Sequence, residues 1–249
     1  MRIVCVGGGP GGLYLSILLK KARPEFDIEV VERNAAGVTF GWGVVFSDET
    51  LSNFLETDER THHAIRDRFA HWTAIDVHYR GELLRSEGHG FSGIARKDLL
   101  DILVIRAKEL GVRIRFETEV EDLSQFADAD LIVASDGINS KIRKRYEDVF
   151  RPSLDPRKSR FIWLGTKKTF DAFTFVFDKG PRGVFQVHAY KFDATTSTFI
   201  VETDEESFRR VGFHEMPVEQ SVAELERMFA NVLGGEKLLL NKSNWVQFT

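Results

Sequence analysis

The chain has 249 residues, a formal net charge of −4, 43% hydrophobic residues and 29% charged residues. This composition is typical of a globular protein of one or two domains, and the acidic balance argues against nucleic acid or an anionic membrane as a partner. No apolar run approaches the ~18 residues that a membrane span requires, and the single cysteine, Cys5, excludes a disulfide within the chain. We therefore expect a protein of the reducing cytoplasm.

The first element is a short apolar run at residues 2–6 that leads directly into a glycine-rich turn. Its β-branched residues predict one buried strand. Gly7, Gly9 and Gly12 then give the spacing G-x-G-x-x-G, followed by a leucine-rich helical pattern and a second strand that ends at Glu32. In such a unit the glycines form a tight turn, admit a pyrophosphate and let the helix pack closely on the strand, while the helix N-terminus binds the phosphates.

The acid at the end of the second strand completes this pattern, because Glu32 stands where a carboxylate accepts the ribose hydroxyls of adenosine. A carboxylate there disfavours a 2′-phosphate. The alternative is a tight turn with no role in nucleotide binding, but it would not explain why a strand, a turn, a helix, a second strand and an acid occur in this order. The motif does not distinguish FAD from NAD. The predicted cofactor-binding residues of this segment are Gly7, Gly9, Pro10, Gly11, Gly12, Glu32 and Arg33.

The next segment predicts a loop followed by two helices. Residues 34–46 are apolar and interrupted by glycines, so we expect a loop that packs against a neighbouring surface. Ser47 and Asp48 are typical of a helix N-cap. Residues 59–69 predict a mostly polar helix on the surface.

A β-hairpin then interrupts the alternation of strands and helices. Residues 72–79 alternate as a strand, Arg80 and Gly81 form a turn, and residues 82–85 return as its partner. We interpret this hairpin as the chain's first visit to a second domain. Arg96 begins a long helix that ends at Gly111, and a further strand follows at residues 112–116.

A second loop of nucleotide-binding type follows residues 130–134, which predict a buried strand. Asp136 and Gly137 come directly after it, and Ser140 begins a basic helix. Because a carboxylate repels phosphate, we expect Asp136 to accept hydrogen bonds from ribityl or ribose hydroxyls, or from water on a pyrophosphate.

The second half of the chain changes character at residue 160. Four successive strands joined by short turns predict an antiparallel sheet, followed by helices at residues 205–211 and 218–233 and a final strand at residues 244–249. The predicted fold class is α/β, with a Rossmann-like domain at residues 1–72 and 90–156. It is interleaved with an antiparallel-sheet α+β domain at residues 73–89 and 157–249.

Three landmarks together resemble the single-component, FAD-dependent aromatic hydroxylases that share the fold of p-hydroxybenzoate hydroxylase. They are the first glycine motif with Glu32, Arg96 with Leu99 at a helix start, and Asp136–Gly137 with Ser140 and Arg143. Residues 40–51, 88–97, 188–190 and 197–202 resemble more closely the members that act on salicylyl-CoA and 2-aminobenzoyl-CoA. The resemblance spans essentially the whole chain.

This resemblance implies FAD as the cofactor of the Rossmann-like domain and a substrate domain formed by the antiparallel sheet. It implies that Arg96 pairs with the FAD phosphates, with a solvated arginine as the alternative. It also implies that Trp42, Gly43 and Val44 lie against the isoalloxazine, with packing on the neighbouring helix as the alternative. In that family NADH or NADPH is a transient reductant, O₂ adds to give a flavin C4a-hydroperoxide, and a hydroxyl- or amino-activated ring attacks it. The implied partners are a small aromatic substrate, of the hydroxy- or aminobenzoyl-CoA type, and O₂, in a monomer or homodimer.

The predicted catalytic residues are His188, Tyr190 and Val45. His188 and Tyr190 occupy alternate positions of one strand and therefore share a face with Gln186. We expect His188 to bind the activating hydroxyl or amine of the ring, and a histidine satisfied within the core is the alternative. The remaining histidines form no spacing that suggests a metal site.

The chain departs from the family at one point. A later Gly-Asp motif that binds the ribityl and phosphate groups is absent, so we expect a truncated chain that binds FAD weakly or not at all and does not turn over. Two further readings stay open, namely a non-oxygenating FAD oxidoreductase of the same fold and an inactive fragment.

Overall fold

The computed structural model describes residues 1–247, so Phe248 and Thr249 of the predicted last strand lie outside the described residues. Its helices are α1 Pro10–Ala22, α2 Asp48–Thr57, α3 Glu59–Arg66, α4 Arg96–Glu109, α5 Lys141–Arg145, α6 Glu147–Phe150, α7 Glu205–Val211, α8 Val218–Met228 and α9 Ala230–Leu233. Its strands are β1 Arg2–Val6, β2 Asp27–Val31, β3 Gly43–Ser47, β4 Ala70–Trp72, β5 Ile75–Tyr79, β6 Glu82–Ser86, β7 Phe91–Ala95, β8 Arg113–Arg115, β9 Leu131–Ala134, β10 Arg160–Thr166, β11 Phe173–Gly180, β12 Gly183–Lys191, β13 Ser197–Thr203, β14 Leu238–Leu239 and β15 Trp245–Gln247. Within residues 1–247, no helix has the length and apolar character needed to cross a bilayer.

The chain forms two compact units, and it enters each of them more than once. Unit 1 comprises Met1–Thr39, Ser52–Asp67 and Lys97–Ser153, and unit 2 comprises Phe40–Leu51, Arg68–Arg96 and Leu154–Thr249. The predicted domain limits, 1–72 with 90–156 and 73–89 with 157–249, stay a prediction. The units differ from those limits in grouping residues 40–51, 68–72, 90–96 and 154–156 with the second unit.

Unit 1 is built on a parallel sheet with the strand order β8-β2-β1-β9. The central strand β1 pairs with β2 on one side and with β9 on the other, and Val4 and Cys5 within it are fully buried. Helix α1 follows β1, and its Leu13 and Ile17 are buried as well. The predicted strand–turn–helix–strand order is confirmed in this unit.

The strand β9 corrects one expectation. Residues 130–134 were expected to form a buried strand, but Leu131 is 42% exposed and no residue of β9 is fully buried. The reason is that β9 is the last strand of its sheet and pairs only with β1 among the described residues. A short apolar run has the same pattern in a central strand and in an edge strand, so the sequence did not distinguish them.

Helices α1, α3 and α4 of unit 1 are held together by one buried carboxylate. Asp58 is 1% exposed and caps α3 by accepting the Thr61 backbone N–H and hydroxyl. Both of its oxygens also accept from the Arg106 guanidinium, each at 2.8 Å, and Lys21 Nζ lies 2.8 Å from it. These donors hold the pKa of Asp58 well below its usual range against the opposing effect of burial.

Unit 2 is built on an eight-stranded sheet in the order β14-β10-β13-β12-β11-β5-β6, with β15 also paired to β10. The strands pair antiparallel except for β5 and β11. The predicted hairpin is confirmed as β5 and β6, with Arg80 and Gly81 at positive φ in its turn. One face of the sheet packs against α7, α8 and α9, with its buried centre at Phe185, Val187, Phe199 and Val201.

A second sheet in unit 2, in the order β3-β7-β4, corrects the expectation of a loop at residues 34–46. Residues 43–47 form β3, which pairs antiparallel with β7. Val44, Val45 and Phe46 favour extended backbone, and the glycines on either side concealed that pattern. Gly43 itself must be glycine, because a Cβ there would lie 2.4 Å from the Phe192 Cβ.

Candidate functional site

The glycine turn of unit 1 is closed on one side and open on the other. Gly7 has φ +111° and approaches the backbone so closely that an added Cβ would lie 2.2 Å from the Ser135 carbonyl oxygen. A Cβ on Gly12 would lie 2.2 Å from the Gly7 carbonyl oxygen. At Gly9 and Gly11, by contrast, an added Cβ would meet no atom within 4 Å. The turn therefore leaves a clear approach to its backbone at Gly9 and Gly11.

The N-terminus of α1 lies at this opening. Pro10 is the first helical residue, and the N-cap residue, Gly9, has no side chain with which to satisfy the first N–H groups. The first turn carries no acidic residue, whereas Lys20 and Lys21 stand in the last. Such an N-terminus favours an anion through its free N–H groups and through the helix dipole.

Glu32 lies beside the turn as predicted. Its Oε2 accepts the Gly8 N–H at 2.7 Å, and its Oε1 accepts the Asn34 backbone N–H at 2.8 Å and the Asn34 amide at 2.6 Å. A carboxylate has about four acceptor positions, so Glu32 keeps capacity for a further donor such as a ribose hydroxyl. The neighbouring Arg33 is exposed.

The second loop meets the first one within unit 1. The Ser135 N–H donates to the Val6 carbonyl at 2.8 Å, and its hydroxyl lies 2.9 Å from that oxygen and 3.0 Å from the Gly7 carbonyl oxygen. Asp136 accepts the Ser140 hydroxyl at 2.6 Å, and Gly137 has φ +90° with open space around it. The two loops, which lie more than a hundred residues apart in the sequence, therefore form one continuous backbone surface.

A cavity of about 780 Å³ opens beside the second loop. It is lined by Asp136, Gly137 and Arg143 together with apolar residues of β9 and of the segment around Tyr146 and Phe150. None of residues 7–12 lines it. The cavity is therefore distinct from the opening at the N-terminus of α1.

The predicted flavin-contacting residues of unit 2 lie at the start of β3. Gly43 is buried, and its N–H donates to the Thr198 hydroxyl at 3.0 Å. Its carbonyl oxygen accepts the Tyr190 hydroxyl at 2.9 Å. Trp42 lies against Gly165, and its carbonyl accepts the backbone N–H of Arg96 at 2.8 Å.

Val44, Val45 and Arg96 complete this group. Val44 and Val45 are half-buried within β3, where they pair with Ile94 and Gly93 of β7. Arg96 is the first residue of α4, and burial lowers the pKa of its guanidinium. Their predicted roles, contact with a flavin ring and with phosphates, stay predictions.

Tyr190 and His188 differ in their surroundings, although both lie on the sheet face opposite to α7, α8 and α9. Tyr190 is 4% exposed, and burial raises the pKa of its phenol to about 12. Its hydroxyl is engaged by the β3 backbone, so its predicted contact with substrate stays a prediction. His188 is half-buried beside Phe175, with ring centroids 5.0 Å apart, and its Nε2 lies 3.4 Å from Glu202 Oε2.

Several residues of these sites had no role in the sequence analysis. Ser135 joins the two loops, Asn34 orients Glu32, and Thr198 binds the Gly43 backbone. Glu202 contacts His188 from the neighbouring strand. Ser135 stands directly before Asp136, and Glu202 is the last residue of the segment 197–202, but only the strand pairing shows which atoms they reach.

Residues 1–153 match a family model described as FAD binding domain. The chain belongs to this FAD-binding family. This match confirms FAD as the predicted cofactor, and the relatives described next confirm the predicted resemblance to flavin hydroxylases.

This FAD-binding chain is similar to two characterised enzymes over nearly its whole length. It is 41% identical to salicyloyl-CoA 5-hydroxylase of a Streptomyces species, over 100% of the chain and 50% of the relative. It is 33% identical to protodeoxyviolaceinate monooxygenase of Chromobacterium violaceum, over 96% of the chain and 65% of the relative. The chain therefore spans about half to two thirds of the length of these relatives.

The fold is shared with a solved monooxygenase structure. The p-nitrophenol 4-monooxygenase of Pseudomonas putida superposes with a TM-score of 0.77 at 17% identity, over 98% of this chain and 67% of that one. The predicted fold class, a Rossmann-like FAD-binding domain interleaved with an antiparallel-sheet domain, is confirmed.

The residues of unit 1 fit an FAD nucleotide. The space at Gly9 and Gly11 leaves the N-terminus of α1 accessible to a pyrophosphate, and Glu32 stands at the end of β2 with acceptor capacity for a ribose. The closed side of the turn, at Gly7 and Gly12, is filled by the chain's own backbone and by Ser135.

Proposed function

We propose that this chain forms the FAD-binding and ring-binding part of an NAD(P)H-dependent flavoprotein monooxygenase. Its substrate is an activated aromatic ring of the hydroxy- or aminobenzoyl-CoA type. The observation that carries the proposal is the pair of loops joined through Ser135 around an open α1 N-terminus, in a chain 41% identical to salicyloyl-CoA 5-hydroxylase. The other monooxygenase relative, at 33% identity, supports the same reaction class.

The residues that would hold FAD are those of the joined loops. The N–H groups at the start of α1 bind the pyrophosphate, Glu32 binds the adenosine ribose, and Asp136 accepts hydroxyls of the ribityl chain. We also assign Arg96, the first residue of α4, to the FAD phosphates, as the family resemblance implies. When bound, FAD supplies the redox chemistry, taking electrons from NADH or NADPH and activating O₂ for transfer to the ring.

The protein's own contribution to the reaction is to bind the ring and to exclude water. The face of the large sheet that carries His188 also carries Trp163, Phe175 and Phe177, because cross-strand partners share a face. Phe175 and Phe177 give this face apolar rings that an aromatic substrate can contact, whereas Trp163 is packed against Gly41. His188 is a polar group on this surface, and we assign to it the hydrogen bond to the ring's hydroxyl or amino group.

The test follows oxygen into product. The protein expressed from its complete gene is supplied with FAD, NADH, salicyloyl-CoA and isotopically labelled O₂, and the product is analysed by mass spectrometry. The proposal predicts NADH oxidation that depends on the aromatic thioester and label in the ring. NADH oxidation without label in the product would instead identify a non-oxygenating oxidoreductase.

His188→Gln tests the assignment of the ring-binding residue. We expect KM for the thioester to rise, or NADH oxidation to become uncoupled from hydroxylation, because the ring's polar group loses its partner. His78→Gln is the matched control, since His78 pairs with Val176 and so faces the opposite side of the same sheet. Equal behaviour of the two variants would refute the assignment.

A further inference from the structure

A cavity of about 480 Å³ lies at one end of the large sheet, between the β5–β6 turn and the β11–β12 turn. Tyr79 and Arg80 line it from the first hairpin, and Phe177, Asp178 and Lys179 line it from the second. The strands β5 and β11 are parallel neighbours, with Tyr79 paired directly to Phe177, so both turns lie at the same end of the sheet. This hairpin-end cavity therefore belongs to unit 2 and shares no residue with the nucleotide-binding loops of unit 1.

Two exposed aromatic rings form one wall of the hairpin-end cavity. Tyr79 is 43% exposed and Phe177 is 36% exposed, and their rings meet edge to face with centroids 6.5 Å apart. The Arg80 guanidinium extends this wall, because its central carbon lies 5.1 Å from the centre of the Tyr79 ring. Aromatic and guanidinium planes that remain exposed are surfaces on which nucleobases stack. The wall is therefore suited to a nucleobase.

The cavity also carries two cations that are not neutralised by an ion pair. None of residues 1–247 forms an ion pair with Arg80 or Lys179. Among the described lining residues, Asp178 is the one carboxylate, and its cross-strand partner is Phe185, which is buried on the opposite face of the sheet. Glu82 is the cross-strand partner of Tyr79 and does not line the cavity. Arginine and lysine are the side chains that bind phosphate, so the two cations favour a phosphorylated ligand.

The cavity lies on the same sheet face as the residues to which we assign the substrate ring. Phe175, Phe177 and Lys179 alternate along β11 and share one face, and Phe175 pairs with His188. The other end of this face is covered, because the Tyr190 hydroxyl donates to the β3 backbone at 2.9 Å. The four residues from Phe175 to Lys179 span about 13 Å at ~3.3 Å per residue. The pantetheine arm of coenzyme A has about thirteen bonds between sulfur and phosphorus and reaches roughly 16 Å when extended, so it spans this distance.

We propose that the hairpin-end cavity binds the nucleotide end, a 3′-phosphorylated ADP, of an acyl-CoA substrate. Tyr79 and Phe177 stack on the adenine, and Arg80 and Lys179 bind the phosphates. The inference rests on the proposed function for the ring and the thioester, and it goes beyond that function in placing the nucleotide end. No bond forms or breaks at this site. Its contacts are the same before and during the reaction at the ring, so they lower KM and leave kcat unchanged.

The first experiment measures the binding of coenzyme A itself to the 249-residue chain by isothermal titration calorimetry. We expect saturable binding that weakens as salt is added, and Arg80→Gln and Lys179→Gln should each weaken it about 5-fold or more, because each removes a charge that meets a phosphate. Arg151→Gln is the matched control for Arg80→Gln, since Arg151 is also an exposed arginine at positive φ but lies in unit 1. It should leave binding unchanged. Absence of binding by the wild type, or equal losses in Arg80→Gln and Arg151→Gln, would overturn the proposal.

The second experiment uses the protein expressed from its complete gene, with FAD and NADH, and compares two thioesters of salicylate. One is salicyloyl-CoA, and the other is the N-acetylcysteamine thioester, which lacks the nucleotide. Arg80→Gln and Lys179→Gln should raise KM for salicyloyl-CoA about 5-fold or more and leave kcat, and KM for the short thioester, unchanged. An equal rise of KM for both thioesters would overturn the proposal. Absence of hydroxylation of both thioesters by the wild type would instead refute the monooxygenase assignment, and the calorimetric result would still decide the nucleotide site.

Discussion

Alanine at Gly12 and alanine at Gly11 should have opposite effects on stability, although the two residues are adjacent in the first turn of α1. An added Cβ at Gly12 would lie 2.2 Å from the Gly7 carbonyl oxygen and 2.5 Å from the Ser135 hydroxyl oxygen. At Gly11 it would meet nothing within 4 Å. A comparison of the two variants therefore isolates the energetic cost of the clash between the two loops, because the effect of alanine on the helix itself is common to both.

The magnitude follows from two terms. Alanine in place of glycine within a helix stabilises it by up to about 1 kcal/mol, and this gain is common to both variants. Gly12→Ala also forces backbone atoms apart, and overpacking of this kind costs about 1–3 kcal/mol. We therefore expect Gly11→Ala to be equal to or slightly more stable than the wild type and to exceed Gly12→Ala by about 1–3 kcal/mol in the free energy of unfolding.

The assay is urea denaturation followed by circular dichroism, with the m-value checked for constancy. FAD binding, which is expected to be weak without the later Gly-Asp motif, is measured in parallel through quenching of flavin fluorescence at high protein concentration. Gly12→Ala should also weaken FAD binding, since moving the Gly7 carbonyl and Ser135 shifts the first turn of α1, whose N–H groups are the proposed phosphate site. Equal unfolding free energies for the two variants would show that the loops can move apart at Gly12 without energetic cost, and the reasoning about their close approach would fail.

Three further predictions concern the stability and specificity of the units. Asp58→Ala should lower the free energy of unfolding by about 3 kcal/mol in urea denaturation, because it removes the carboxylate that binds Arg106 and Lys21 and leaves the mostly buried Arg106 guanidinium paired with Glu109 at 3.3 Å. The folded-state pKa of Asp58 is depressed, so the stabilisation by its carboxylate is present above the unfolded pKa of about 4 and is lost as the pH falls further. The wild type should therefore lose more stability in acid than Asp58→Ala. Parallel curves of unfolding free energy against pH for the two proteins would contradict this. Tyr190→Phe should cost about 1 kcal/mol by the same measurement, since it removes one donor from the Gly43 carbonyl, and an unchanged midpoint would show that the Thr198 hydroxyl suffices. Glu32→Gln should weaken FAD binding measured by fluorescence quenching, because a neutral amide accepts ribose hydroxyls less strongly than a carboxylate, and unaltered affinity would remove Glu32 from the nucleotide site.

Sequence reasoning located the nucleotide-binding loops because their requirements are local. The positive φ of Gly7 and the contact of Gly12 with the Gly7 carbonyl are set within the turn itself, and the strand, helix and acid follow at regular spacing. The role of Ser135 did not follow from the sequence, because it depends on β9 pairing beside β1 and so bringing the two loops into register. A serine before an aspartate has no pattern of its own that would reveal this.

The limits of the sequence analysis were set by tertiary context in unit 2. Glycines around residues 37–43 concealed strand β3, whose extended form depends on pairing with β7. Tyr190 and His188 share a face, as alternation predicted, but one is covered by β3 while the other lies beside Glu202. Alternation gives the direction of a side chain, whereas its neighbours depend on the order of strands in the sheet.

The hydrogen bonds of Ser135 affect the entropy change of nucleotide binding. A single hydroxyl close to the carbonyls of both Val6 and Gly7 restrains two turns before any nucleotide arrives. The conformational entropy of ordering these turns is then lost during folding rather than during association, so more of the contact energy remains as affinity. Ser135→Ala should for this reason speed nucleotide dissociation more than it slows association.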